Sequence, residues 1–497
     1  MTAHLTRRAL LGGAMAAVAG VALAEAPQRA LRPRLRGEGA GQAATAAARA
    51  PLADLIAAAQ LGGSVGVLLA DARSGAVIEE HEAGAAMPPA SVTKAITALY
   101  ALGALGSDHR FETRLLATGP VAEGVLQGDL ILAGGGDPVL GTDQMADLAV
   151  LLRNAGVRSV AGGFRVWGGA IPAIAQIDPG QLGHLGYNPA VGGLNLNFNR
   201  VHFEWARQGG NYRVTMDART DRYRPDVSIA RMRVADRDLP VYTYSGAEGV
   251  DDWTVARSAL GDGGARWLPV RRPALYAGDV FRTMAAAQGI ALPAAQEIAS
   301  LPGGTITVAR LQSDRLSVLL RDMLNFSTNL TAEVLGLTAT AARGGNASGL
   351  AASARAMTGW ARQALGVEAR FVDHSGLGDA SRISAAQMVR ALVAAGPDGA
   401  LRALLKDIPL TDADGKPLRN PPAQVVAKTG TLNFVSALAG YLRTAGGRDL
   451  VFAIFTVDPD RRARAIAAQD EVPEGARGWN QRARRLQQQL LQRWGAV

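Results

Sequence analysis

The rhythm of apolar and polar positions changes along the chain and divides it. Residues 64–70 are apolar almost without a break and run into an Asp71-Ala72-Arg73-Ser74-Gly75 turn, after which Val77 and Ile78 resume, so a hairpin is predicted there. A helix is predicted over about 91–105. Between 111 and 274 the rhythm shortens to β-like pieces, among them 164–167, 212–216 and 241–244, parted by Gly and Asp turns. Helical periodicity then dominates near 279–288, 314–325, 330–342, 349–364 and 384–395. Two strands follow, 432–442 and 450–457, joined at Gly446-Gly447. The last segment sets Trp479, Ala483, Leu486, Leu490 and Trp494 on one helical face with arginines opposite. Such a helix either lies on a membrane surface or packs on the terminal strands, and packing is the expectation.

The N-terminus reads Thr6-Arg7-Arg8-Ala9-Leu10-Leu11, then an apolar run to Ala24 that ends in Ala22-Leu23-Ala24. This is the pattern of a secretory signal over 1–24 with a twin-arginine flavour, so the protein is expected to be exported to the periplasm, with at most peripheral membrane association. Residues 25–50, rich in Ala, Arg, Gly and Pro, are expected to form a flexible tether. A chain of 497 residues calls for two or three domains. The division read from the pattern is 51–110 plus 275–497 as one domain, with 111–274 as a β-rich insert of two subdomains.

The chain has no cysteine, which removes disulfides and thiol chemistry. The 52 Lys and Arg against 43 Asp and Glu leave a formal +9, but the positives are scattered and no aromatics interleave with them, so nucleic acid is not an expected partner. Lysine usage is more telling. Only Lys94, Lys406, Lys416 and Lys428 occur, and all remaining positives are Arg. Arginine cannot lose its proton at accessible pH, so chemistry that needs a neutral amine must use one of these four.

Two of them fall in short motifs. In Ser91-Val92-Thr93-Lys94, preceded by Pro88-Pro89-Ala90, positions i and i+3 share a helix face, so the hydroxyl and the amine can meet. A serine becomes a nucleophile when a base takes its proton, and a lysine serves once its pKa is lowered. In Ser327-Thr328-Asn329, alternation sets a hydroxyl and an amide on one side of a short connection, suited to proton relay and to holding a carbonyl. Lys428-Thr429-Gly430-Thr431 opens an alternating strand: Gly430 admits an extended peptide, Lys428, Thr429 and Thr431 suit a carboxylate, and the Thr431 N–H can join that of Ser91 as an oxyanion hole.

Each motif alone is weak; an N-cap serine, a helix-start serine and an ordinary turn are the bland readings. Their order, Ser-x-x-Lys, Ser-x-Asn, Lys-Thr-Gly, is the signature of the active-site-serine penicillin-recognising enzymes. With the long gap between the first two, the chain resembles D-alanyl-D-alanine carboxypeptidase/endopeptidases of the penicillin-binding protein 4 type, the low-molecular-mass class C group. The resemblance extends to Gly128-Asp129-Leu130, Gly136-Asp137-Pro138, Tyr187-Asn188-Pro189, Asn195-Leu196-Asn197, Asp373-His374-Ser375-Gly376-Leu377 and Ala439-Gly440-Tyr441. It implies an α+β catalytic domain of the β-lactamase/transpeptidase-like fold, an antiparallel sheet flanked by helices, interrupted by the insert.

It also implies that Ser91 attacks D-Ala-D-Ala, Lys94 accepts its proton, and Ser327 passes a proton to the departing amine. Asn329 would hold the acyl-side amide, and Lys428, Thr429, Gly430 and Thr431 the terminal carboxylate. Peptidoglycan stem peptides would be the substrates, β-lactams the inhibitors, and no cofactor or metal is expected. Two departures stand out, Thr328 where Asp is common and His374 where a smaller residue is common, the latter bearing on specificity.

Other readings remain open. A β-lactamase or esterase of the same fold would share the motifs, although the Glu-x-x-Leu-Asn motif of class A β-lactamases is absent, and a catalytically silent peptidoglycan-binding protein would keep only the fold. Gly62-Gly63-Ser64-Val65-Gly66 matches a nucleophile elbow, but the strand follows the serine where a helix is needed.

Overall fold

The computed structural model describes residues 50–246 and 249–496. The signal read over 1–24, and the tether over 25–50 except its last residue, lie outside the described residues. Two compact units divide the chain: one takes the residues up to Met87 with Ser384–Ala465 and Val472–Val497, the other Pro88–Ile383 with Ile466–Glu471.

The first unit is built on a six-stranded antiparallel sheet in the order Lys406–Asp407, Ala423–Leu432, Val435–Thr444, Asp449–Val457, Ser64–Asp71, Val77–His81. The period of two sorts its faces. Leu450, Phe452 and Ile454 point to one side, where Trp479, Ala483, Leu486, Leu490 and Trp494 of the helix Ala476–Gly495 are buried against them. Tyr441 points to the other, and its hydroxyl donates to Leu392 O of the helix Ala385–Ala395 at 2.7 Å. The terminal helix thus buries its apolar face in the sheet. Ser64 begins a strand, not a helix, so the Gly62–Gly66 match forms no elbow.

One expectation is corrected. The pattern places a strand over 432–442 with Lys428 opening it, whereas Lys428–Thr431 lie late in Ala423–Leu432, and the chain reverses at Asn433-Phe434 into Val435–Thr444. The register sets Lys428 opposite Ala439 and Thr431 opposite Ser436. Phe434 takes the left-handed conformation (φ 58°) that usually calls for glycine, so no turn signature marks the reversal.

The second unit holds a five-stranded sheet in the order Ala295–Glu297, Phe164–Trp167, Leu130–Gly134, Glu112–Ala117, Ile306–Gln312. Its last strand pairs Ile306–Gln312 with Glu112–Ala117, so the sheet draws on chain beyond residue 274, a non-local pairing that local patterning does not reveal. Two three-stranded sheets are centred on Arg200–Gln208 and on Asp251–Ala256. A helix that the β-rich reading missed, Thr142–Asn154, packs on Pro273–Ala287 and buries Met145, Leu148, Ala149 and Leu152 at helical spacing. The remaining helices form a bundle in which Thr93–Leu105 packs on Leu316–Phe326, Asn329–Ala342 and Leu350–Leu365. Among the described residues no helix is long and apolar enough to cross a membrane.

Candidate active site

Ser91 sits in a 3₁₀ turn, Ala90–Val92, that leads into the helix Thr93–Leu105. The turn is bent by Ala90, whose φ of 45° is unusual for a residue with a side chain. Two contacts hold it: Thr93 Oγ1 donates to Ala90 O at 2.9 Å, and Gly376 lies so close that a Cβ there would be 1.8 Å from the same oxygen. Lys94 follows by three residues, and its Nζ donates to Ser91 Oγ at 2.8 Å.

Two further acceptors complete the surroundings of Nζ, Asn329 Oδ1 and Ser375 O, each at 2.8 Å. An ammonium has three hydrogens, matched here by three acceptors. Once one proton leaves, the lone pair must face one of the three, and only the serine hydroxyl has a hydrogen to return. The geometry therefore directs a neutral Lys94 at Ser91. Lys94 is fully buried, and loss of water pushes its amine down to about 7, against the opposing pull of Glu333 and Asp373.

Ser327 and Asn329 are not arranged as alternation suggests. Ser327 ends the helix Leu316–Phe326 in the left-handed conformation, φ 59° and ψ 36°, Thr328 is extended, and Asn329 already begins the next helix. The chain is turning between two packed helices, so Ser327 and Asn329 differ in backbone state although they are two residues apart. Asn329 also spans more than a substrate role requires: besides accepting from Lys94, its Nδ2 donates to Tyr187 O at 2.9 Å, leaving one amide hydrogen for a ligand. Tyr187 is held by a set of asparagines that bond the backbone. Asn188 bridges to Asp178, and Asn195 and Asn199 to the loop between Ala190 and Leu196. Directly after it Asn197, Phe198 and Asn199 all have positive φ.

Behind Lys94 lies the loop Asp373-His374-Ser375-Gly376-Leu377-Gly378. Glu333 Oε2 accepts from His374 N at 3.0 Å and Oε1 from Ser375 N at 2.9 Å, while Asp373 accepts from Gly376 N at 2.7 Å and Gly378 N at 2.6 Å. Burial, and for Glu333 also the neighbouring Asp373, hold both carboxyls above their ordinary values, and the hydrogen bonds and Lys94 offset only part of the rise. His374 is wholly buried, and burial pushes its imidazole down to about 3, so it is neutral.

Lys428, Thr429, Gly430 and Thr431 belong to the other unit. Lys428 is buried and its Nζ donates to Thr429 O at 2.7 Å; Thr429 and Thr431 are exposed. On its outer side the strand is paired by Lys406–Asp407 at Val426 and Ala427, and Val425 O accepts from Ile408 N at 2.8 Å.

Residues 48–472 match the family model described as the D-Ala-D-Ala carboxypeptidase 3 (S13) family. The chain belongs to that family. It is accordingly a hydrolase of the D-Ala-D-Ala carboxypeptidase class. It is 27% identical over 470 residues to a D-alanyl-D-alanine carboxypeptidase of Actinomadura sp. (strain R39), covering 83% of each chain. A carboxypeptidase of Mycobacterium tuberculosis is 28% identical over 417 residues, 78% of this chain and 75% of that one. Among solved structures, penicillin binding protein 4 of Haemophilus influenzae superposes with a TM-score of 0.71 at 20% identity, over 89% of this chain and 99% of that chain. That likeness carries the fold, a mixed α/β architecture of the transpeptidase/β-lactamase-like type. The same protein has been solved with a β-lactam bound, and there the TM-score is 0.69.

Within this carboxypeptidase family member the sequence motifs account for Ser91, Lys94 and Asn329 at one point, but not for Glu333, Asp373 or the Ser375 and Tyr187 carbonyls. A carbonyl has no sequence signature. Glu333 does have one: it stands four residues after Asn329 in a helix whose neighbours Leu330, Ala332, Val334 and Leu335 are apolar, and an acid in such a setting needs a reason.

Proposed function

We propose that this protein is a periplasmic serine DD-peptidase that cleaves D-Ala-D-Ala termini of peptidoglycan stem peptides through an acyl-enzyme on Ser91. The reading is supported above all by Lys94 Nζ, buried, 2.8 Å from Ser91 Oγ and ligated so that its lone pair can face only that hydroxyl. In the first step Nζ takes the Ser91 proton as Oγ bonds to the penultimate D-Ala carbonyl, and the peptide C–N bond breaks as the terminal D-Ala amine receives a proton through Ser327. Water then attacks the ester, Lys94 again takes a proton, and Ser91 Oγ leaves with it. If the leaving amine belongs to a second stem peptide, the same steps make an endopeptidase.

The remaining roles follow the motifs. The spare Asn329 amide hydrogen suits the acyl-side carbonyl, and Lys428, Thr429 and Thr431, beside the side-chain-free Gly430, are assigned the terminal carboxylate. On the outer edge of their strand the pairing with Lys406–Asp407 lies at Val426 and Ala427, ahead of Thr429 to Thr431, which supports the docking of an extended peptide there. We read the β-rich stretch after residue 110 as an insertion into the catalytic fold, extended to Gln312 by the pairing of Ile306–Gln312 with Glu112–Ala117. The 1–24 segment is read as its export signal. A β-lactam should acylate Ser91 and leave slowly.

Mass spectrometry of the full chain with benzylpenicillin, followed by peptide mapping, tests the reading. The expected result is one adduct, on the peptide that carries Ser91, lost in Ser91→Ala and retained in Ser64→Ala. An adduct elsewhere, or none, ends the proposal.

A further inference from the structure

Asn329 and Glu333 lie four residues apart on the helix Asn329–Ala342 and therefore on one face. Asn329 reaches Lys94 directly, at 2.8 Å. Glu333 reaches it through the backbone: its two oxygens accept separately from the amides of His374 and Ser375, at 3.0 and 2.9 Å, and the carbonyl of that same Ser375 accepts from Nζ at 2.8 Å. One turn of helix thus supplies two of the three acceptors around the amine, one by side chain and one by proxy. The loop has little freedom to supply the third in any other way. Thr97 Oγ1 donates to His374 O at 2.6 Å, and Asp373 accepts from the amides of Gly376 and Gly378.

The reaction described above uses neither buried carboxylate. A wholly buried acid among Leu330, Val334, Leu335 and Leu337 is costly to keep unless its oxygens are paired and its charge has a partner. Burial and Asp373 push the Glu333 carboxyl up to about 8, while the two amide hydrogens it accepts and the charge of Lys94 oppose that rise and favour the ionised form. The charged groups acting on Lys94 are Glu333 from the helix and Asp373 from the loop, and Asp178 acts in turn on Asp373.

We propose that Glu333 is a positioning residue for the base: it aims the Ser375 carbonyl at Nζ and lays a carboxylate behind the amine that accepts the Ser91 proton. Its charge opposes the effect of burial. Without it Lys94 holds its proton less tightly, and the acid limb of the acylation profile moves to lower pH. Without its reach, Nζ loses its third anchor and the plateau rate falls.

This inference rests on the reading of Lys94 as the base of Ser91, and two variants separate the two. Glu333→Gln removes the charge and turns an amide NH₂ toward one of two N–H donors. Glu333→Asp keeps the charge and withdraws it by one methylene. The measurement is the second-order rate of acylation by a fluorescent penicillin from pH 5 to 9, per mole of folded full-length chain. E333Q should shift the acid limb down by about one pH unit and lower the plateau by about tenfold. E333D should leave the limb in place and lower the plateau by about tenfold. A limb and plateau unchanged in E333Q overturn the inference, and so does a variant that loses only thermal stability, which is what a purely structural acid would do. If E333Q does not fold, E333D decides, an unchanged plateau counting against. A wild type that fails to acylate at Ser91 sinks the underlying reading instead.

Discussion

Gly336 and His374 share one space: a Cβ built on Gly336 would lie 2.1 Å from His374 Cγ and 2.3 Å from Nδ1. The ring cannot easily retreat. Its Nε2 meets Ser353 Oγ at 2.7 Å, Ser353 Oγ continues to Thr340 Oγ1 at 2.6 Å, and Thr340 Oγ1 in turn meets Tyr100 Oη at 3.0 Å, all within the helical bundle. A larger residue at 374 is thus accommodated by the absence of one at 336. Gly336→Ala should therefore destabilise the fold by about 2–3 kcal/mol, as overpacking does. In a double-mutant cycle read by denaturant unfolding, His374→Ala should recover part of that loss. Additive effects of the two substitutions would show that the contact does not limit packing.

The same pair marks where local pattern stops informing. The meeting of Ser91 with Lys94 was legible because i and i+3 on a helix meet whatever surrounds them, and the helices near 314–325, 330–342 and 349–364 were legible from their apolar stripes. Three things were not. The reversal at Asn433-Phe434 has no glycine to announce it, and the partnership of Ile306–Gln312 with Glu112–Ala117 is between distant segments. The fate of His374 depended on Gly336, a residue in another element, and no reading of position 374 alone could place its ring in the interior.

Lys94 sets the expected pH dependence. Below about 7 it is an ammonium and cannot accept the Ser91 proton; above that value the free amine predominates. kcat/KM for a D-Ala-D-Ala peptide should rise roughly tenfold per pH unit below that point and level above it. Lys94→Arg, which stays charged, should lose at least about a thousandfold at every pH and show no limb. A profile flat from pH 5.5 to 8.5 would mean that another group is the base.

Asn329→Asp offers a test with the opposite sign. It would set a carboxylate oxygen where the amide oxygen now stands, 2.8 Å from Nζ, and an adjacent negative charge favours the ammonium. The acid limb should therefore move up by a pH unit or more, roughly, and activity at pH 7 should fall by at least about tenfold. The change also removes the Nδ2 donor to Tyr187 O, so the Tyr187 loop should become more susceptible to proteolysis. A limb that stays put would place Asn329 off the base.

At the far end of the sheet, Glu79 accepts from Arg493 Nη2 at 2.8 Å and from Trp494 Nε1 at 2.8 Å, tying the terminal helix to the strand Val77–His81. Burial works against its charge, but the hydrogen bonds from Arg493 and Trp494 outweigh it and hold the carboxyl below its ordinary 4.5. A depressed carboxyl contributes stability that is present above the unfolded value and lost as pH falls through the folded one. Trp494→Ala should cost about 3–5 kcal/mol from lost burial alone and should also reduce this acid sensitivity below pH 4.5. Equal slopes of stability against pH in the two proteins would detach Glu79 from the helix.

The base itself should show in the stability of the fold. Folded Lys94 releases its proton near 7, the unfolded chain near 10.5, so between those values only the unfolded state carries the proton. Stability contributed by this residue then rises with pH across that window, having been lowest below 7, where a buried ammonium is present. Lys94→Met lacks the effect. It also removes the positive charge near Glu333, letting burial drive that carboxyl further up, so the variant itself loses stability as pH rises toward 8. Both terms act in one direction. The difference in unfolding free energy, wild type minus K94M, should grow by about 3 kcal/mol between pH 7 and 9.5, at roughly 1.4 kcal/mol per pH unit, whatever its absolute sign at the start. Urea titrations of both proteins at four pH values measure it. Parallel curves would mean that Lys94 keeps its proton in the folded protein, and the alcohol of Ser91 would then need a different acceptor.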